Sequence, residues 1–158
     1  MKNIEENKDE KIEKKEIITP IKRKTVREYA FALIYEKLIS GERNEFSKKI
    51  AGEKLGEQVV FFEKLLSRVD DNWDFLLEVV ARFSSGYKIE RIYKVDLSLI
   101  LLASSEILFL DEIPDLVALN EALELAKLYS GDKSSKFIHG VLSGVLDKKQ
   151  DLIKELKE

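Results

Sequence analysis

Apolar residues recur in steps of three and four along most of the chain. Val59, Phe62, Leu66, Val69, Trp73, Leu76, Val80 and Phe83 keep that spacing unbroken over seven turns. This predicts an amphipathic seam of the coiled-coil type. Asp70-Asp71-Asn72 predicts a break in it, with a side chain there capping a second helix. Trp73 lies on the seam and reads as core rather than as a platform for a base. Upstream, Val26, Ala30, Leu33 and Ile34 predict a helix over about 25–38. Gly41 to Lys49 reads as a polar linker, with a short helix around 46–55. Downstream come a Ser84-Ser85-Gly86 turn, a short helical link over 87–93 and a mostly buried helix over 95–110.

The segment Ile113 to Leu146 carries two more apolar helices across a short turn. Pro114 and Asp115 suit a first helical turn. Leu116, Leu119, Leu123 and Ala126 form one apolar row, and Ala118, Ala122, Leu125 and Tyr129 form a second. Only Asn120, Glu124 and Lys127 remain as a polar strip, so this helix is expected at the centre of the core. Gly131 is expected to end it, and Asp132, Ser134 and Ser135 offer caps for the next helix. Phe137, Ile138, Val141, Leu142, Val145 and Leu146 make that helix's apolar stripe. Gly140 and Gly144 sit on the edge of the stripe. Close helix packing is the commoner reason for such glycines, and close approach of a ligand is the alternative. No alternating strand segment occurs, so the fold class is all-α.

Charge changes the picture. The net charge is −3, but it is unevenly placed. Residues 1–20 hold five lysines and six acids, and their low hydrophobicity predicts a disordered tail. Residues 21–27 hold four basic residues and no acid, leaving −6 on residues 28–158. A basic cluster at a helix start opposes the helix dipole and sits on an otherwise acidic body, which points to phosphate. Arg23, Lys24 and Arg27 share an arc of roughly 100°, read here as facing away from the apolar stripe. A merely solvated helix start is the other reading.

Enzyme chemistry finds little support. The chain has one histidine, His139, and no cysteine. There is no Gly-rich phosphate loop, no paired carboxylates and no metal-ligand spacing. Neither metal nor cofactor is therefore expected. Glu106 lies near an apolar face and reads as a hydrogen-bonded structural carboxylate, or as a buried acid with a raised pKa. Met1 to Lys15 is too charged for a secretory leader, and the longest apolar run, Leu97 to Leu110, is too short and too polar to span a bilayer. A soluble, cytoplasmic protein with no membrane contact is expected.

The string IP..VALNEALELAK, followed by S.KFI.GVL, resembles the C-terminal signature of the NusB transcription antitermination factors. A basic run followed by REYAFALIYE is similar to that family's N-terminal start, and the resemblance covers about 22–146. It implies two roughly perpendicular three-helix bundles over residues 21–158. It also implies a transcription antitermination factor, not an enzyme, that binds boxA-type single-stranded RNA in nascent ribosomal RNA. The implied partners are a NusE-type ribosomal protein, other Nus factors and RNA polymerase. Carried over residue by residue, Lys22, Arg23, Lys24, Arg27, Lys136 and His139 would contact RNA, while Tyr35, Asp96 and Lys133 would face the ribosomal protein.

Five departures from the family pattern stand out, one of them the charged tail of residues 1–20, which has no counterpart there. Lysines replace some expected arginines, losing the bidentate fork. Lys133 stands where an acid is usual, Leu101 where an arginine is common, and His139 where asparagine is common. Three alternatives stay open. One is a helical adaptor that binds protein only. Another is a detached NusB-like domain of a ribosomal-RNA cytosine methyltransferase, a reading that requires a following Rossmann-type domain with a cysteine nucleophile. The third is a homodimer formed through the RNA surface, which would be autoinhibitory.

Overall fold

A computed structural model describes residues 20–158, and among them every regular element is helical. Eight α-helices follow in order: α1 (Arg23–Ser40), α2 (Glu45–Leu55), α3 (Val59–Asp71), α4 (Trp73–Phe83), α5 (Lys94–Phe109), α6 (Asp115–Tyr129), α7 (Asp132–Asp147) and α8 (Lys149–Lys157). Short 3-10 turns at Gly56–Gln58 and Ile89–Arg91 join α2 to α3 and α4 to α5. The tail reading for residues 1–19 lies outside the described residues.

The centre of the fold is α5, not α6. Every residue of α5 from Asp96 to Leu108 is buried, and α1, α3, α4, α6, α7 and α8 all pack on it. In α6, only Ala118, Leu119, Ala122, Leu125 and Ala126 are buried, while Leu116, Val117 and Leu128 face solvent. Its apolar character exceeded what its neighbours cover. Leu101, where the family pattern favours a charge, is fully buried in the α5 core. α1, α2 and α3 pack on one another as one group, and α7 packs on both α4 and α6.

The long seam breaks as its sequence suggests, but by another device. Asn72 makes no side-chain cap for α4. Its Nδ2 donates back to the Arg68 carbonyl (2.8 Å) and closes the end of α3. Phe62, Leu66, Val69, Leu76 and Val80 are buried, and Trp73 packs half-buried against the core with the Lys37 ammonium over its ring. Near this corner Asp70 accepts from Lys37 and, through two nitrogens, from Arg43. Burial pushes the Asp70 carboxyl up, but those hydrogen bonds outweigh it and hold the group below its ordinary value. The clamp ties the end of α1 and the following linker to the end of α3.

The α6–α7 turn also departs from its local reading. Gly131 is indeed at φ 149°, where only glycine is at ease. Asp132 falls inside α7, and α7 has no side-chain N-cap. Ser134 instead sends its hydroxyl to Asp96 Oδ2 (2.8 Å), with the Ser130 hydroxyl oxygen 2.7 Å from its own. α8, unmarked in the sequence because it is short and mostly charged, docks through Leu152. Gly144 has a packing reason: a Cβ there would come within 2.5 Å of the Phe83 ring.

Candidate nucleic-acid interface

Lys22 caps α1, and the first turn of α1 contains no acid. The opening turn of a helix leaves backbone N–H groups without intrahelical acceptors, and here cations flank that turn. Lys22, Arg23 and Lys24 are all exposed. The Arg23 guanidinium lies 4.3 Å above the centre of the Phe61 ring. Stacking orders the guanidinium plane while leaving its edge free to donate. Lys24 reaches Glu124 at 3.4 Å, but both side chains are about half exposed (47% and 57%), so the pair competes weakly with a phosphate.

Arg27 does not belong to this patch. It is 3% exposed, and its Nε and Nη2 both donate to Glu106 Oε1, at 2.9 and 2.7 Å. The reason is helical register: Arg27 precedes the buried Ile34 by seven residues, two turns, and therefore shares its face. Glu106 is 1% exposed. Burial pushes its carboxyl above the ordinary range, and the Arg27 hydrogen bonds pull it back only in part. The pair pins the start of α1 to the last turn of α5, so Arg27 positions the exposed cations rather than joining them.

A second surface, with two exposed lysines, lies along the first half of α7. Lys133, Lys136 and His139 are exposed there, and the His139 ring is 3.4 Å from Ser143 Oγ. Beside them an open cleft is lined by Tyr87, Arg91, Tyr93, Asp96, Lys133 and Phe137, among others. The Tyr87 and Phe137 rings meet edge to face at 5.5 Å, and Tyr87 and Tyr93 are 59% and 76% exposed. Exposed rings interleaved with cations are the working parts of a single-strand site. The sequence contained the signal, in the run YKIERIYK, which reads only as a link until the turn places it against α7. The two surfaces hang on one helix. Glu106 and Asp96 lie ten residues apart on α5, about 15 Å along its axis.

The residues expected to face a protein divide in the same way. Tyr35 is 39% exposed and shares an outward stripe of α1 with Ala32 and Ile39. Lys133 is exposed. Asp96 is not: at 3% exposure its two oxygens accept from Ser130 and Ser134, which ties the start of α5 to the α6–α7 turn. Its first-turn position already suited a cap, and in the fold its role is to hold that turn.

Among the described residues no group of histidine and carboxylate side chains could hold a metal, and no helix is long and apolar enough to cross a membrane. What the fold presents is a small all-helical protein with a cationic helix start, an aromatic cleft and an apolar helix stripe. The chain belongs to the NusB family, whose pattern matches residues 24–147. It is 36% identical over 132 residues to the transcription antitermination protein NusB of Natranaerobius thermophilus, covering 78% of this chain and 93% of that one. It is 39% identical over 127 residues to the same-named protein of Listeria monocytogenes, covering 79% and 96%. These relatives are named as antitermination proteins, not enzymes. A solved structure of T. maritima NusB shares the fold at a TM-score of 0.73 and 22% identity, over 86% of this chain and 99% of that one.

Proposed function

We propose that the protein is a cytoplasmic antitermination factor that binds boxA-type single-stranded RNA of nascent ribosomal RNA together with a NusE-type ribosomal protein. In this reading residues 21–158 act as one RNA-binding unit within a larger assembly of Nus factors and RNA polymerase. The observation that carries it is the exposed Lys22-Arg23-Lys24 cluster at the start of α1, with Arg23 stacked on the Phe61 ring, on a body that is otherwise net acidic. Such a local footprint binds phosphate without making the whole surface sticky to nucleic acid. The Tyr87–Phe137 pair, with Lys133 and Lys136 beside it, supports stacking of unpaired bases over reading of a duplex.

Anisotropy titration of a labelled boxA RNA, with and without the ribosomal partner, tests the reading. Binding that tightens with the partner and weakens steeply with salt is expected. Partner binding with no RNA affinity under either condition would leave a protein-only adaptor.

The partner is expected on the Tyr35 stripe. An aromatic ring at the surface buries much area for little lost freedom. Tyr35→Asp should weaken partner binding by at least about tenfold, or 1.4 kcal/mol, with little change in thermal midpoint. Full partner affinity in that variant would place the interface elsewhere.

A further inference from the structure

Leu116 and Val117, in the first turn of α6, are 66% and 42% exposed, while the opposite face of that helix packs into the core. Adjacent large apolar side chains left in water gain by being covered. The neighbouring contacts show which segment reaches them. Lys24 on α1 pairs with Glu124 on α6 at 3.4 Å, and further along both helices Tyr129 donates to Glu28 at 2.9 Å. The two helices therefore run side by side in the same direction, and the chain upstream of Lys24 heads toward the start of α6. Arg23 lies on Phe61, and Lys64, one turn further along α3, pairs with Glu112 just before α6. Leu116 precedes Glu124 by two turns, about 12 Å along the axis. The chain from Lys24 back to Ile17 spans up to about 23 Å when extended. It reaches the patch.

We propose that residues 11–18 of this chain dock on the start of α6, with Ile17 and Ile18 against Leu116 and Val117. This stretch reads KIEKKEII and holds three of the four isoleucines of residues 1–20. Its lysines suit the surface they would meet. Residues 111–124 hold five acids and no basic residue, and Lys24, Lys64 and Lys149 offset only three of those acids. Lys11, Lys14 and Lys15 complement the remainder. The tether makes the contact intramolecular, so a short linker holds the segment at roughly millimolar effective concentration and a small patch suffices. A second copy of the chain lacks that advantage. The contact is independent of the RNA-binding reading above.

The chain has no cysteine, so a pair introduced by substitution reports contact without background. The test compares full-length Ile17→Cys/Leu116→Cys with Ile17→Cys/Val60→Cys under mild oxidation at low protein concentration. Val60 is 72% exposed and adjoins Phe61, on which Arg23 lies, so an undocked tail reaches it as readily. A disulfide closes only when the two Cα atoms come within about 7 Å. The disulfide within one chain should form at least about tenfold faster to position 116 than to position 60. Adding Lys14→Glu and Lys15→Glu should cut that preference at least about threefold at low salt. Equal rates to the two positions overturn the docking. Disulfides formed only between chains would seat a second copy on the patch and overturn it too. A preference that charge reversal leaves unchanged also overturns it, because proximity alone then accounts for the rate.

Discussion

Glu106→Ala is expected to destabilise the protein by about 3–5 kcal/mol, a large share of the roughly 5–15 kcal/mol that holds a native domain folded. The reason is what the substitution leaves behind. Arg27 is 3% exposed and gives two hydrogen bonds to Glu106. Without the carboxylate its charge stays buried with no counter-ion. A void beside Leu102 and Ala103, which already line a small dry gap next to the pair, would add to the loss. The double variant Arg27→Met with Glu106→Leu is expected to recover most of the stability, because an apolar pair of similar volume needs no desolvation. Urea unfolding of the wild type, both single variants and the double variant gives the coupling directly. Equal, additive losses would show that the pair does not act as a unit. The double variant carries a functional expectation too. It keeps Lys22, Arg23 and Lys24, so any loss of RNA affinity in a stably folded sample reports the positioning of α1 rather than a lost phosphate contact.

The second large effect is on RNA. Replacing Lys22, Arg23 and Lys24 together with alanine should flatten the log–log salt dependence by about 2, since each phosphate contact on single-stranded RNA contributes about −0.7. At about 1 kcal/mol per contact, affinity at low salt should fall by roughly a hundredfold. The fold should tolerate the change, because all three side chains are exposed and, among the described residues, the ion pair lost is the solvated one to Glu124. Arg27 is left out of this variant deliberately. Including it would mix a stability defect into a binding measurement and make a loss of affinity uninterpretable. An unchanged salt slope in the folded triple variant would remove the start of α1 from the RNA site.

Helical spacing, charge segregation and the string VALNEALELAK were enough to predict an all-helical protein with a local basic patch and to suggest its family. These properties are local or depend on composition, and they survive any arrangement of the helices. The inward set on α1, the break near Asn72 and the turn at Gly131 follow from spacing and from the few residue types that tolerate such backbones. What the sequence could not decide was which of several apolar helices the others would surround. α5 and α6 are both apolar, and only packing buries Asp96 to Leu108 while leaving Leu116 and Leu128 in water. Tertiary contact also sorted like residues into unlike roles. Arg23 and Arg27 sit four apart in one basic run, yet one stacks on Phe61 at the surface and the other is spent on Glu106, 79 positions away. Asp96 and Ser134 stand in the first turns of two different helices and are partners across 38 positions. Gly140 and Gly144 were one motif in the sequence, and only the Phe83 ring tells them apart. In each case a side chain's role depended on what a distant segment brought to it, and residue spacing carries no information about that.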